Sequence, residues 1–229
     1  MIKLIPRKDI TVSKKVIGSE LAKIQQAFYD EDALQLYKND NEEHLYWEKF
    51  DHLNSESSAP ETFNKILSLN HRDIETFTNT LSEKVLGLLR AIESEKLIVI
   101  SHLKVDFFGN RDNNFKPLVD AYARLEEIVG NNTYNEAFEV DKESLPDFIA
   151  VLFWIIRCDP GVAEYIFLFD EKEQVELFLC KYGNLHLTEF NKEQLTESRL
   201  NALGFTIIKG DEFDNFTDDL KIGGRQIEM

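Results

Sequence analysis

The sequence predicts an α+β protein: a helical N-terminal part packed with a C-terminal antiparallel β-meander and helices. Three observations carry that reading. Ile74, Phe77, Leu81, Val85, Leu88 and Ile92 recur at gaps of three and four, one apolar stripe of a long helix from Asp73 to Ser94. Phe148 to Ile156 is apolar all round, as a covered central helix requires. Between Tyr165 and Phe190, three short runs rich in aromatic and branched residues alternate with turns.

From the N-terminus, Ile10, Val12 and Val16-Ile17 read as a short strand. Ser19 is placed to cap a helix with Leu21, Ile24 and Phe28 on one face. The like charges of Asp30-Glu31-Asp32 end or bend it. A second short helix carries Leu45, Tyr46, Phe50 and Leu53. Ser58-Ala59-Pro60-Glu61 reads as a capping box opening a helix with Phe63, Ile66 and Leu67 inward. After the long helix, Leu97-Ile98-Val99-Ile100 reads as a buried strand, with a longer helix through Val99, Leu103 and Phe107 as the alternative.

Pro117 suits the first turn of a helix that Gly130-Asn131-Asn132 stops. Thr133 to Val140 is a candidate strand, and Ser144 a cap for the helix through Arg157. The meander then runs Tyr165–Phe169, Val175–Tyr182 and Leu185–Phe190, with Gly183-Asn184 as a two-residue type II′ turn. A helix from Asn191-Lys192-Glu193-Gln194 to Leu203, closed by Gly204, and a strand over 205–208 complete the chain. Residues 1–229 read as a single domain, with a weak sub-boundary at 109–115.

The balance of 42 acids against 26 bases, net −16, disfavours nucleic acid, since phosphate binding needs Lys and Arg to displace counterions. It disfavours an anionic membrane surface equally. The first residues hold no apolar core of signal-peptide length, and two cysteines, Cys158 and Cys180, are too few for a disulfide-built domain. The expectation is a cytoplasmic protein with reduced thiols.

Two segments concentrate the acids. Asp30 to Glu56 holds nine acids against two lysines; Asp211 to Asp219 holds five acids and no base. No calcium loop is found: a start at Asp211 puts Phe213 at position three, and a start at Asn110 fits Asp112 and Asn114 but puts Phe115 where the glycine belongs. The functional reading is a protein-binding module that uses charge to capture a basic protein, as a neutralising, immunity- or antitoxin-like partner of a cationic toxin or nuclease would. Its candidate contacts are Asp30, Glu31, Asp32, Glu42, Glu43, Tyr46 and Trp47, then Asp211, Glu212, Asp214, Phe216, Asp218 and Asp219. Tyr37 and Phe213 are placed as further anchors.

Other clusters are weaker. His44, Glu48 and His52 recur every four residues, a possible metal face if one helix spans them, but without the Glu that directly follows the first His in the helical zinc motif. A Cys180–His186 nucleophile pair fails on parity. With Gly183-Asn184 as the turn, Tyr182 pairs with Leu185 and Cys180 with Leu187, which puts His186 on the opposite pleat. Arg157 at a helix end is expected to pair with Asp159 or Glu164. No phosphate loop, nucleophile elbow or Cys-x-x-Cys is present, and no cofactor is expected. A hydrolase-type enzyme with a scattered site and a structural subunit of an assembly stand as alternatives.

Overall fold

The computed structural model describes residues 1–53 and 60–217. Its strands are β1 (Ile2–Ile5), β2 (Thr62–Ser68), β3 (Lys96–Ser101), β4 (Ala137–Asp141), β5 (Ile166–Asp170), β6 (Val175–Leu179), β7 (Leu185–Phe190) and β8 (Thr206–Ile207). They form one sheet in the order β1-β4-β3-β5-β6-β7-β2-β8, antiparallel throughout. The helices are α1 (Arg7–Ser13), α2 (Lys15–Ala27), α3 (Glu31–Asn39), α4 (Glu43–Trp47), α5 (Ile74–Ala91), α6 (Lys116–Val129), α7 (Leu145–Cys158) and α8 (Glu197–Ala202). The fold is α+β, with strands from both sides of residues 109–115 in the one sheet.

The period-two alternation of strand side chains divides the sheet into two unequal faces. Leu97, Val99, Leu168, Leu177 and Leu187 point into the main core, against the stripes of α5, α6 and α7. Ile98, Ile100, Phe167 and Phe169 point the other way, against Ile10, Ile17 and Leu21 of α1 and α2. Both faces of β5 are therefore buried, which is why its sequence is apolar at every position before the closing Asp170. The second face is only partly covered. β6 and β7 turn Glu176, Phe178, His186 and Thr188 toward it, paired across the strands as Glu176 with Thr188 and Phe178 with His186.

Several expectations need correction. Ile10 and Ile17 are not in a strand: with Leu21 they recur at helical spacing and form the inner stripe of α1 and α2. The strand lies earlier, at β1, an edge strand held by β4. Ser19 is buried inside α2 rather than capping it. The helix expected after Ser58–Glu61 is strand β2; Ser58 and Ala59 of that capping box lie outside the described residues. Six pairings to β7 outweigh a local pattern that suited either state. Leu97–Ile100 is strand, held between β4 and β5.

The sheet is larger than the small meander predicted, and helices lie on both of its faces. β4 begins at Ala137, later than expected. Residues Asn191 to Gln194 do not open a helix. The Glu189 carboxylate takes the N–H groups of Gln194 and Leu195 at 2.7 and 2.9 Å, and α8 starts only after Thr196, whose hydroxyl caps Arg199.

Candidate functional site

The β6–β7 turn decides the chemistry at one end of the sheet. Leu179 pairs with Leu185 and Phe178 with His186. The Cys180 N–H donates to the Asn184 carbonyl at 3.0 Å, and the Gly183 N–H to the Cys180 carbonyl at 3.1 Å. Lys181, Tyr182 and Gly183 therefore form a three-residue loop, a tight turn followed by a left-handed glycine at φ +79°. That conformation favours glycine, and a Cβ there would also meet the Phe216 ring at 2.6 Å. The type II′ turn is thus replaced by a pairing displaced by an odd number of residues, which exchanges the faces. Cys180 and His186 share a face after all.

The chain returns to them after β8. Glu212 Oε1 lies 3.0 Å from Cys180 Sγ, 3.1 Å from His186 Nε2 and 3.0 Å from Asn184 Nδ2. Asn184 and Asn215 are fully buried and fix this return. Asn184 Nδ2 also donates to the Phe213 carbonyl, Asn215 Nδ2 donates to Asn184 Oδ1 and the Gly183 carbonyl, and Ser68 Oγ donates to Asn215 Oδ1. A polar chain so deep is stable only because its members are paired.

Burial pushes the Glu212 carboxyl up, but the hydrogen bonds from His186, Cys180 and Asn184 outweigh it and hold it at about 2. Burial and the neighbouring Glu212 carboxylate push the Cys180 thiol well up. These partners are wrong for a thiol nucleophile, which needs imidazole to take its proton and a carboxylate behind the imidazole. Here the carboxylate stands between thiol and imidazole.

All three side chains line a cleft of about 650 Å³. Tyr165, Phe178 and His186 are shared with a neighbouring groove of about 730 Å³, which runs over the uncovered sheet face to Glu20 and Lys23 of α2. Glu176 lies in that groove, its carboxyl pushed up to about 8 by burial and then by Glu20, against the pull of Lys23. Near the same end of the sheet, His102 is buried between Phe28 and Tyr165. Burial holds it down at about 4, against a hydrogen bond with the Tyr165 backbone and with the Arg7 charge helping.

The two acidic segments have different fates. In the first, Asp30, Glu31, Asp32, Asp40, Glu42, Glu43 and Glu48 are exposed on or beside α3 and α4. Among the described residues their one ion pair is Glu43 with Lys38, at 3.7 Å. Tyr46 is not a surface contact: it is buried with Leu34 and Phe50 in the hairpin's own small core, its hydroxyl donating to the Asp30 carbonyl. Trp47 is half-buried against it. Tyr29, Leu36 and Leu45 are the exposed large apolar side chains here.

In the second segment only Asp211 is exposed. Glu212 belongs to the cleft. Asp214 is buried and paired with Arg157 at 3.2 Å, and Phe216 packs on Phe77 and Phe153. Asp218 and Asp219 lie outside the described residues.

Two further corrections follow. Arg157 pairs with Asp214, not with Asp159 or Glu164. Asp159 is buried and accepts the Tyr122 hydroxyl and the N–H groups of Asn110 and Gly161. The His44, Glu48, His52 face does not form: α4 ends at Trp47, and His52 lies beyond it at φ +51°. Among the described residues, Cys180, His186 and Glu212 alone bring three metal-ligating atoms within 4.8 Å of one another.

No family model matches this chain, and no curated protein and no solved structure is recognisably similar to it. No helix among the described residues is long and apolar enough to cross a membrane. The site was hidden from the sequence because its residues meet only through the turn register and a return from Glu212. The one legible signal was the Cys-x5-His spacing across a glycine turn.

Proposed function

We propose that this protein is a binding module whose α3–α4 hairpin captures a basic protein. The observation that carries the reading is the set of seven exposed carboxylates on that hairpin, interrupted by exposed Tyr29, Leu36 and Leu45 and offset by one ion pair. Uncompensated charge raises the rate of encounter with an oppositely charged partner and penalises the wrong one. Apolar and aromatic side chains among the charges supply the desolvated contacts that hold it. Asp32 and Leu36 stand one turn apart on α3, so charge and anchor share a face.

The hairpin is held by packing independent of its acids: Leu34, Tyr46 and Phe50 meet Leu103, and the Lys104 N–H donates to the Lys49 carbonyl at 2.8 Å. Apart from Asp30, whose carboxylate caps α3 at the Ala33 N–H, and Glu43, which accepts the Trp47 indole N–H, the acids are free for recognition rather than spent on the fold. The partner class that suits this surface is a cationic toxin or nuclease, whose phosphate-binding face the carboxylates would occupy. That role is compatible with a cytoplasmic site of action.

The test is affinity capture by the full chain from its native cells at low and high salt, beside a variant carrying Glu31→Gln, Asp32→Asn, Glu42→Gln and Glu43→Gln. A basic protein recovered by the parent at low salt, and lost both at high salt and with the variant, is the expected result. Recovery that the four substitutions leave unchanged, or recovery of no basic protein, would overturn the reading.

A further inference from the structure

The geometry points to a transition-metal site, Zn²⁺ by the chemistry of its donors, held by Cys180 Sγ, His186 Nε2 and Glu212 Oε1. Three arguments support it, none of which depends on the acidic hairpin.

The first is saturation. A carboxylate oxygen offers two lone pairs, yet Cys180, His186 and Asn184 all converge on Glu212 Oε1 within 3.1 Å. Three donors on one oxygen are more than it can satisfy well. A cation at the convergence point resolves the excess: the thiol coordinates as thiolate, losing its proton to solvent, and the imidazole presents a lone pair. Asn184 keeps its hydrogen bond.

The second is fit. Zinc bonds of ~2.3 Å to sulfur and ~2.0 Å to nitrogen or oxygen, at tetrahedral angles, separate ligand atoms by roughly 3.3–3.6 Å. The three atoms here already lie within 4.8 Å of one another, with two of the separations at 3.0 and 3.1 Å. The two separations to Glu212 Oε1 need widen by only a few tenths of an ångström, Cys180 Sγ and His186 Nε2 need close by ~1.3 Å at most, and none of the three side chains needs to be brought from elsewhere. Thiolate with imidazole and a single carboxylate is a borderline-soft donor set, which favours zinc over magnesium or calcium.

The third is support from behind. Metal-ligating carboxylates are oriented by outer hydrogen bonds. Glu212 is held in this way by the buried Ser68–Asn215–Asn184 chain, which anchors to the Gly183 carbonyl in the turn and to the Phe213 carbonyl in the returning segment. Burying that many amide groups is costly, and positioning one carboxylate oxygen gives the arrangement a use. Three protein ligands opening onto a 650 Å³ cleft leave a fourth position facing solvent, the pattern of catalytic rather than closed structural zinc sites.

The experiment uses the full chain and the metal alone. After equilibration with Zn²⁺ and removal of loose ions, the expected stoichiometry is one zinc per chain. Co²⁺ in its place should give visible d–d bands together with a thiolate charge-transfer band in the near ultraviolet. Cys180→Ser should remove the charge-transfer band while Cys158→Ser keeps it. His186→Gln should weaken zinc binding by more than the roughly 10–100-fold that an outer-shell partner is worth. Far-ultraviolet circular dichroism shows whether each variant folds. Should Cys180→Ser not fold, alkylation of the parent chain mapped by mass spectrometry takes its place: zinc should protect Cys180 and leave Cys158 unchanged. A folded parent chain that retains no zinc, a cobalt spectrum indifferent to both substitutions, or alkylation of Cys180 unaffected by zinc would each overturn the proposal.

Discussion

The two acid-rich segments, Asp30–Asp51 and Asp211–Asp214, are alike in composition and opposite in fate. The first displays its carboxylates on a small helical hairpin, and only Asp51 turns inward, to Arg7. The second turns two of its three inward, Glu212 to His186 and Cys180 and Asp214 to Arg157. Local charge density does not decide which acids a fold spends. What decides is whether a buried cation or donor, far away in sequence, awaits them. A carboxylate without such a partner stays in water because desolvating it is costly.

The comparison is broken most severely at Asp51. Its carboxylate grips the Arg7 guanidinium through Nε and Nη2, at 3.0 and 2.6 Å, and Arg7 is only 1% exposed. Removing one partner of such a pair strands a buried charge. Asp51→Ala should cost ~3–5 kcal/mol in denaturant unfolding, in a segment whose other acids, the α3 cap Asp30 aside, cost almost nothing.

Asp214 is a smaller case. Its pair with Arg157 runs through Nη1 alone, at 3.2 and 3.5 Å to the two oxygens, but it also accepts the Phe216 N–H at 2.9 Å, which sets that ring against Phe77 and Phe153. Asp214→Asn should cost about 2–3 kcal/mol, the upper range for hydrogen bonds to charged groups, read from the shift in denaturation midpoint.

Two titrations test the groove end of the sheet. The Glu176 carboxyl sits above its ordinary value, at about 8, so the folded state binds a proton that the unfolded state has lost. Its contribution is fully present below pH ~4.5 and is lost as pH rises toward 8. Glu176→Gln should therefore stabilise the protein at pH 7 by about 1–2 kcal/mol and flatten that decline, allowing for relaxation around a half-buried group. His102 runs the opposite way. Held at about 4, it stays neutral in the fold while the unfolded chain protonates near 6.5, so stability falls between those values as pH falls. Between pH ~4.5 and ~6.5 the two slopes oppose and largely cancel, so thermal unfolding of the parent should be nearly flat there and fall from ~6.5 to 8, while Glu176→Gln should remove the fall and uncover the His102 rise.

The smallest expected effect is the sharpest check on the exposed segment. Neutralising Glu31, Asp32, Glu42 and Glu43 together should change stability by less than about 0.5 kcal/mol per site, since only Glu43 has an ion pair to lose. A large loss would mean that these acids serve the fold rather than a partner.

The sequence alone specified what short-range pattern specifies. The stripe from Ile74 to Ile92 gave α5, the left-handed Gly130 at φ +68° ended α6, the apolar run gave the buried α7, and the aromatic runs gave β5 to β7. Each depends on neighbours within a turn or a hairpin, where periodicity and turn chemistry are read directly. Tertiary structure decided the rest. Whether Thr62–Ser68 is strand depended on β7, more than a hundred residues away. The meeting of Cys180 with His186 depended on one turn being three residues long instead of two, and that of either with Glu212 on a returning segment held by buried amides. Sequence records which groups are available; long-range pairing sets which of them meet, because the free energy that fixes a register comes from partners on another strand.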